Sequence, residues 1–252
     1  MKRFCAAAAF VAGSLLFSPV GRAADRAVHL MVPPPVSKDV AAMPLIADPV
    51  DDAERRINTA VRRLDVNVRK AAADCKDSDG KPGDWQRSID VPMRGPGYIS
   101  FVITDSEFCG GAHPDSGTMS IVYDLRTGAP VDWTRLLPPT LTGKVTVQPQ
   151  MDGTKMVTLA SKHLHDLYLA GYHVDGTAQD QSDCKEAVQD GSDDPPAMMV
   201  WLDAKAGGLA VQFDLAHAVQ VCAAPVVIPV ATLRAEGAQP ALLDAIQAAH
   251  SK

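Results

Sequence analysis

Hydrophobic and polar positions repeat at two different periods along this chain of 252 residues. A short extended segment around Val28 to Val32 precedes the irregular run Pro33-Pro34-Pro35. Ile57, Ala60, Val61, Leu64 and Val68 then recur at helical spacing and predict a helix from about Asp52 to Ala72. Asp51 followed by Glu54 has the form of a capping box at its start. Asp77 to Asp84 is a loop by composition. Strand-like alternation or β-rich composition marks Trp85 to Val91, Ile99 to Asp105 and Thr118 to Asp124. Arg126-Thr-Gly128 then turns the chain into a short strand at Ala129 to Trp133, and the short connections make this an antiparallel meander.

Helical spacing returns at Met156, Val157, Ala160, Leu164, Leu167 and Tyr168, between Asp152 and Gly171, and predicts a second helix. The acidic stretch Asp175 to Asp194 reads as a long loop tied down at Cys184. Met198 to Ala204 and Gly208 to Leu215 read as a hairpin joined through Lys205-Ala-Gly207. Pro225 to Val230 is a further strand, and Pro240 opens a last short helix through Ile246. Runs of strands with interspersed helices predict an α+β fold, an antiparallel sheet meander with two or three packed helices.

The first residues change the picture of where this fold resides. Met1-Lys2-Arg3, an apolar run from Phe4 to Phe17 and small residues up to Ala24 form a secretory signal cleaved after Ala23. Residues 24–252 are then expected to be a single exported domain, periplasmic or secreted. Cys5 leaves with the signal. No later segment approaches the roughly 20 apolar residues that a membrane span needs. Cleavage removes Lys2, Arg3 and Arg22 and no acid, so the net charge moves from −6 to −9. An acidic chain disfavours nucleic acid and anionic membranes and leaves basic partners electrostatically allowed.

Four cysteines survive cleavage: Cys75, Cys109, Cys184 and Cys222. An even count in an oxidising compartment implies two disulfides; three pairings are open, and the one joining sequence neighbours, Cys75–Cys109 and Cys184–Cys222, is favoured. No CxxC spacing is present, which argues against zinc and thioredoxin-like redox chemistry.

The stretch Phe108 to Gly117 interrupts the meander with Gly110, Gly111, His113 and Pro114. The glycine pair implies positive φ or close backbone approach, and Pro114 withdraws an amide and restrains His113 to extended geometry. His113 and Asp115 have the composition of an acid/base or metal pair, with Asp105 and Glu107 on the preceding strand. Ser116 lacks a nucleophile elbow, and neither an HExxH pattern nor a Gly-rich phosphate loop is present. His163 and His165 lie two apart on a predicted helix, hence about 200° apart, and cannot chelate one ion. His163 is expected at the apolar face and His165 in solvent. Trp85, Trp133 and Trp201 fall in predicted strands with apolar neighbours and are expected in the core. Arg55, Arg62, Arg63, Arg69 and Lys70 form a basic stripe read as a solvated helix face. No catalytic residue, metal or cofactor is assigned, and Gly110, Gly111, His113, Pro114 and Asp115 are the expected binding surface.

Three stretches carry a likeness to a known family. They are Arg56-Ile-Asn-Thr-Ala-Val61 after Pro44; Phe108 to Gly117 with Tyr123-Asp-Leu-Arg-Thr-Gly128 and Trp133 to Leu137; and Gly208 to Phe213 with Val226 to Val230 and Leu233. From about Val28 to Leu233 the chain resembles the RsiV-like extracytoplasmic domain family, found in a lysozyme-sensing anti-sigma factor and beside peptidoglycan deacetylases. It departs from that family in lacking aromatic residues near Ala216 to Val221 and in carrying these cysteines. The resemblance implies an α+β envelope domain and, in one branch, binding to lysozyme. The expected function is a non-catalytic periplasmic binding protein that binds or inhibits a basic protein such as a lysozyme-like muramidase, or takes another envelope component. The alternatives are a cell-wall hydrolase or metal-assisted enzyme using His113 and Asp115, and a structural component of an envelope complex.

Overall fold

A computed structural model describes residues 25–189, 194–213, 215 and 217–251. The expected signal at residues 1–23 lies outside the described residues. So does Ala216, the first residue of the stretch where the family commonly has aromatics.

The chain opens with β1 (Leu30–Met31) and β2 (Leu45–Ile46), paired antiparallel, followed by the long helix α1 (Asp52–Asp74). Asp51 Oδ1 accepts from Glu54 N at 2.9 Å, as the capping pattern requires. The return arm differs from a standard capping box. The fully buried Glu54 carboxylate accepts from Val50 N and from Arg26 at 2.7 and 2.8 Å, so it fastens the preceding segment to the helix. Asn58, one turn on, is buried and clamps β2: its Oδ1 accepts from Ile46 N and its Nδ2 donates to Ile46 O. Ile57, Val61, Leu64 and Val68 form the buried stripe.

A three-stranded antiparallel meander follows, β3 (Asp84–Arg94), β4 (Tyr98–Phe108) and β5 (Asp115–Asp124). β3 passes the predicted end at Val91 because the register shifts between Asp90 and Met93, and that irregularity accommodates Pro92 within an otherwise paired strand. Beyond β5 the expected strand at Ala129 to Trp133 is absent. The pairing shrinks to a bridge between Tyr123 and Pro130, and Asp132 caps the short helix α2 (Trp133–Leu136) through Thr134 N. Trp133 is therefore helical and still buried, as are Trp85 and Trp201. Gly128 has φ 71°, and a Cβ there would stand 2.4 Å from Ala53 O, so the Arg126-Thr-Gly turn lies directly on α1. Arg56 donates to Thr127 O across the same contact.

The second half begins with α3 (Pro139–Thr142), β6 (Lys144–Pro149), β7 (Lys155–Ala160) and α4 (Lys162–Gly171). The helix expected between Asp152 and Gly171 is thus a strand and a shorter helix. Apolar positions at Met156, Val157 and Ala160 suit both periods; pairing with β6 decides for strand, and Ser161 Oγ caps α4 by accepting from Leu164 N. The acidic stretch read as a loop contains α5 (Ala178–Val188). Thr177 and Asp180 form a reciprocal capping box, and Cys184 and Val188 are buried on its inner side. β8 (Met198–Asp203), β9 (Gly208–Phe213), a 3₁₀ turn (His217–Cys222), β10 (Val226–Pro229), α6 (Val230–Ala235) and α7 (Pro240–His250) complete the chain. The strands form an antiparallel sheet in the order β10-β9-β8-β7-β6. The fold is α+β, with three antiparallel sheets and seven α-helices among the described residues, more helices than expected.

The two larger sheets meet through one edge of β8. Along that edge β7 pairs only at Met198, and the backbone groups further on are satisfied by the three-stranded sheet. Ser120 Oγ donates to Val200 O, Ser100 Oγ accepts from Leu202 N, and Pro92 O accepts from Ala204 N, every second residue in turn. Two buried serines thereby replace a strand partner.

Both expected disulfides are present, Cys75–Cys109 and Cys184–Cys222. They are the chemistry of an oxidising compartment. Among the described residues no helix is long and apolar enough to cross a membrane.

Candidate functional site

Cross-strand register places an unusual set of side chains at one end of the three-stranded sheet. On the face beneath α1, Arg87 is opposite Asp105, which is opposite Gly117; in the next row Trp85 is opposite Glu107, which is opposite Asp115. Further along, the same face is apolar, with Ile89, Ile103 and Met119 in line. The inward period of two therefore runs from hydrocarbon into charge as it nears the end of the sheet.

Arg87 is the hub. Its side chain is fully buried; Nε and Nη2 donate to the two oxygens of Asp105 at 2.7 and 2.5 Å, and Nη2 also reaches Asp152 Oδ2 at 3.0 Å. Asp152 belongs to the β6–β7 hairpin turn, where its Oδ1 accepts from Thr154 N. It is not the helix start expected for it; the turn exists because β6 and β7 pair on either side. Trp85 Nε1 adds a third donor to Asp105 at 2.9 Å. Burial pulls the Arg87 guanidinium down, yet the hydrogen bonds and charges of Asp105 and Asp152 outweigh it and hold the group above its ordinary value. Bidentate geometry with a second carboxylate suits arginine and would not suit lysine.

Glu107 has no such support. It is 4% exposed, and its Oε2 has no hydrogen-bond partner. Burial, then the neighbouring charges of Asp115 and Asp105, push its carboxyl up to about 7, against the pull of Arg87. A small crevice of about 30 Å³ opens beside it, lined by Asp105, Glu107, Gly117, Met119, Gln150 and Met151. Nothing approaches within 4 Å of where a Cβ on Gly117 would stand, so this glycine leaves the space open.

The predicted Gly-Gly turn borders this cluster. Cys109 is bonded to Cys75, and Gly110, at φ 83°, packs on the backbone of Lys76 to Ser78. The disulfide and the contact of Gly110 with Lys76 to Ser78 join the loop before β3 to the β4–β5 turn as one rim. Gly111, Ala112, His113, Pro114 and Asp115 are exposed on it, as are Asp79 and Asp84. Phe108 is 38% exposed among them. The fold brings Asp115 to Glu107, whereas His113 lies on the exposed rim outside the lining of that crevice.

The other histidines exchange their expected places. His165 is buried, with Nε2 donating to Val188 O and its ring edge-on to Phe213, because α5 and β9 pack on that side of α4. His163 is the half-exposed one and meets Glu236 at 2.8 Å. Arg87 and Asp152, the residues that organise the site, were missing from the expected set. The alternation Trp85-x-Arg87-x-Ile89 carried a signal for the first, since it places an arginine on an inward position; nothing local marked the second.

A larger open groove of about 980 Å³ lies on the opposite face of the meander, where Val102, Thr104 and Thr118 extend beyond the cover of β8. Its charged residues, Asp90, Arg94, Asp203 and Lys205, are of mixed sign, and His250 is engaged with Ala204 O at 2.7 Å.

No family model matches the sequence, and no curated protein matches it. Structural neighbours are proteins of the DUF3298 family. One from Pseudomonas aeruginosa PAO1 has a TM-score of 0.49 at 15% identity, covering 79% of this chain and 84% of its own. Another, from Bacteroides fragilis NCTC 9343, has a TM-score of 0.46 at 14% identity, covering 77% and 68%.

Proposed function

We propose that this chain is a non-catalytic binding protein of the cell envelope, with a basic protein as its partner. The observation that carries this reading is the rim around the disulfide-pinned turn, where Asp79, Asp84 and Asp115 are exposed beside the half-exposed Phe108, with Lys76 and Lys81 on the same loop and Lys81 paired to Asp79 at 3.3 Å. Carboxylates around an aromatic anchor are suited to docking a cationic surface, with complementary charge speeding encounter and the aromatic supplying contact energy. The turn is fixed by Cys75–Cys109, so little ordering entropy is lost on binding. The sequence resemblance to the RsiV-like domain supports a lysozyme-like muramidase as the first partner to test, and the disulfides support an exported location.

Calorimetric titration of the oxidised protein, residues 24–252, with a strongly basic lysozyme at low salt tests the reading. Binding that weakens as salt is raised is expected. No heat at tens of micromolar would eliminate the muramidase. An envelope pull-down that returns no basic protein would eliminate the wider class.

A further inference from the structure

We propose that the crevice beside Glu107 is a seat for one primary ammonium group on an apolar stem, a lysine side chain presented by the protein partner. This deepens the binding reading above and rests on it.

Size, charge and lining each point to that ligand. A space of about 30 Å³ admits a group the size of one water molecule and excludes a guanidinium or a phosphate. Glu107 is part of its wall, and Oε2 of that carboxylate is buried with no hydrogen-bond partner. Such an acceptor in a native fold calls for a donor. Arg87 directs Nε and Nη2 to Asp105 and Asp152, and its Nη1, likewise buried and without a partner, makes no hydrogen bond to Glu107.

The charged groups acting on Glu107 are Asp115, Asp105 and Arg87. Asp105 and Arg87 lie on its own sheet and Asp115 stands opposite it on β5, while Asp152 of the β6–β7 turn and Asp65 of α1 act on Arg87 from the other side. Against one guanidinium this leaves negative charge in excess, so a cation is the ligand favoured. A mobile ion would meet only the anionic floor. The mouth instead presents Met151, 61% exposed, and Met119 lies within, a surface that suits the methylene stem of lysine. An ammonium seated there competes with the proton on Glu107, so the affinity should rise as pH rises past the carboxyl's midpoint.

The test follows the Glu107 carboxyl carbon by NMR across pH, with Nα-acetyl-lysine amide as the probe. The uncharged norleucine analogue and ammonium chloride at matched ionic strength serve as the other arms. The lysine compound at tenfold excess over its Kd should lower the Glu107 midpoint by about one unit. Norleucine amide should leave it in place, and ammonium chloride should act far more weakly. Gly117→Val fills the crevice without a clash at the Cβ and should abolish the shift while the fold is retained. No shift with the lysine compound would overturn the proposal, as would an equal shift in Gly117→Val. Ammonium chloride acting as strongly as the lysine compound would also overturn it, by showing a free-ion site. No partner protein is present, so a failure here is distinct from a failure of the lysozyme or envelope titrations.

Discussion

Replacing Glu107 with Gln should stabilise the protein at alkaline pH and do much less at acidic pH. Glu107 is 4% exposed, and its carboxyl is pushed from the usual 4.5 to about 7, first by burial and then by Asp115 and Asp105. The folded value lies above the unfolded one. Between those two values the native state keeps a proton that the unfolded chain has released, so stability falls as pH rises through that window. At about 1.36 kcal/mol per unit, the whole offset amounts to about 3 kcal/mol, of which about 2.5 kcal/mol falls between about pH 5 and about pH 8. Gln does not titrate, so the stability difference between Glu107→Gln and the parent should grow by that amount over the same interval. Urea unfolding at both pH values measures it, and the other titrating groups, shared by the two proteins, largely cancel. A difference equal at both values would refute the reasoning. One that shrinks with pH would mean that the folded state favours the carboxylate.

Other perturbations probe the frame around this residue. Arg87→Met leaves Asp105 and Asp152 buried without their cation and should cost about 3–5 kcal/mol in urea unfolding. Gly128→Ala forces a side chain into φ 71° and onto Ala53 O, so a loss of about 1–3 kcal/mol or more is expected, read as a lowered Tm. Replacing Cys184 and Cys222 together with serine releases a loop closed over 38 residues and should cost about 3–4 kcal/mol by denaturant titration.

Much of this architecture was legible because local signals agreed with tertiary ones. The helix behind Asp51, the three meander strands and the Met198–Phe213 hairpin follow from period and turn residues, and of the three open cysteine pairings the favoured one is present. The misreadings have physical causes. At Met156 to Ala160 the apolar spacing fits two periods, and only the partner strand β6 selects one. In the stretch after Asp175 acidic composition concealed a Thr-x-x-Asp cap, and the disulfide partner of Cys184 supplies packing that no local pattern records. His165 is buried by α5, an element not expected to exist. The rim was visible as a broken strand with a glycine pair, but the crevice was not. It arises from the register that sets Gly117 opposite Asp105 and from a hairpin turn arriving from a distant part of the chain.

The central claim is that the acidic rim, and not net charge alone, binds a basic partner. It is tested most directly by comparing two triple charge reversals for lysozyme affinity at low salt. Asp79→Lys with Asp84→Lys and Asp115→Lys alters the rim and spares Asp77, whose carboxylate holds the loop by accepting from Asp79 N and Lys81 N. Asp166→Lys with Glu186→Lys and Asp244→Lys makes the same change in net charge at exposed positions on α4, α5 and α7. The account predicts at least about a tenfold weakening, about 1.4 kcal/mol, for the rim variant and near-parental binding for the other. Equal weakening by both, or parental affinity in the rim variant, would contradict it.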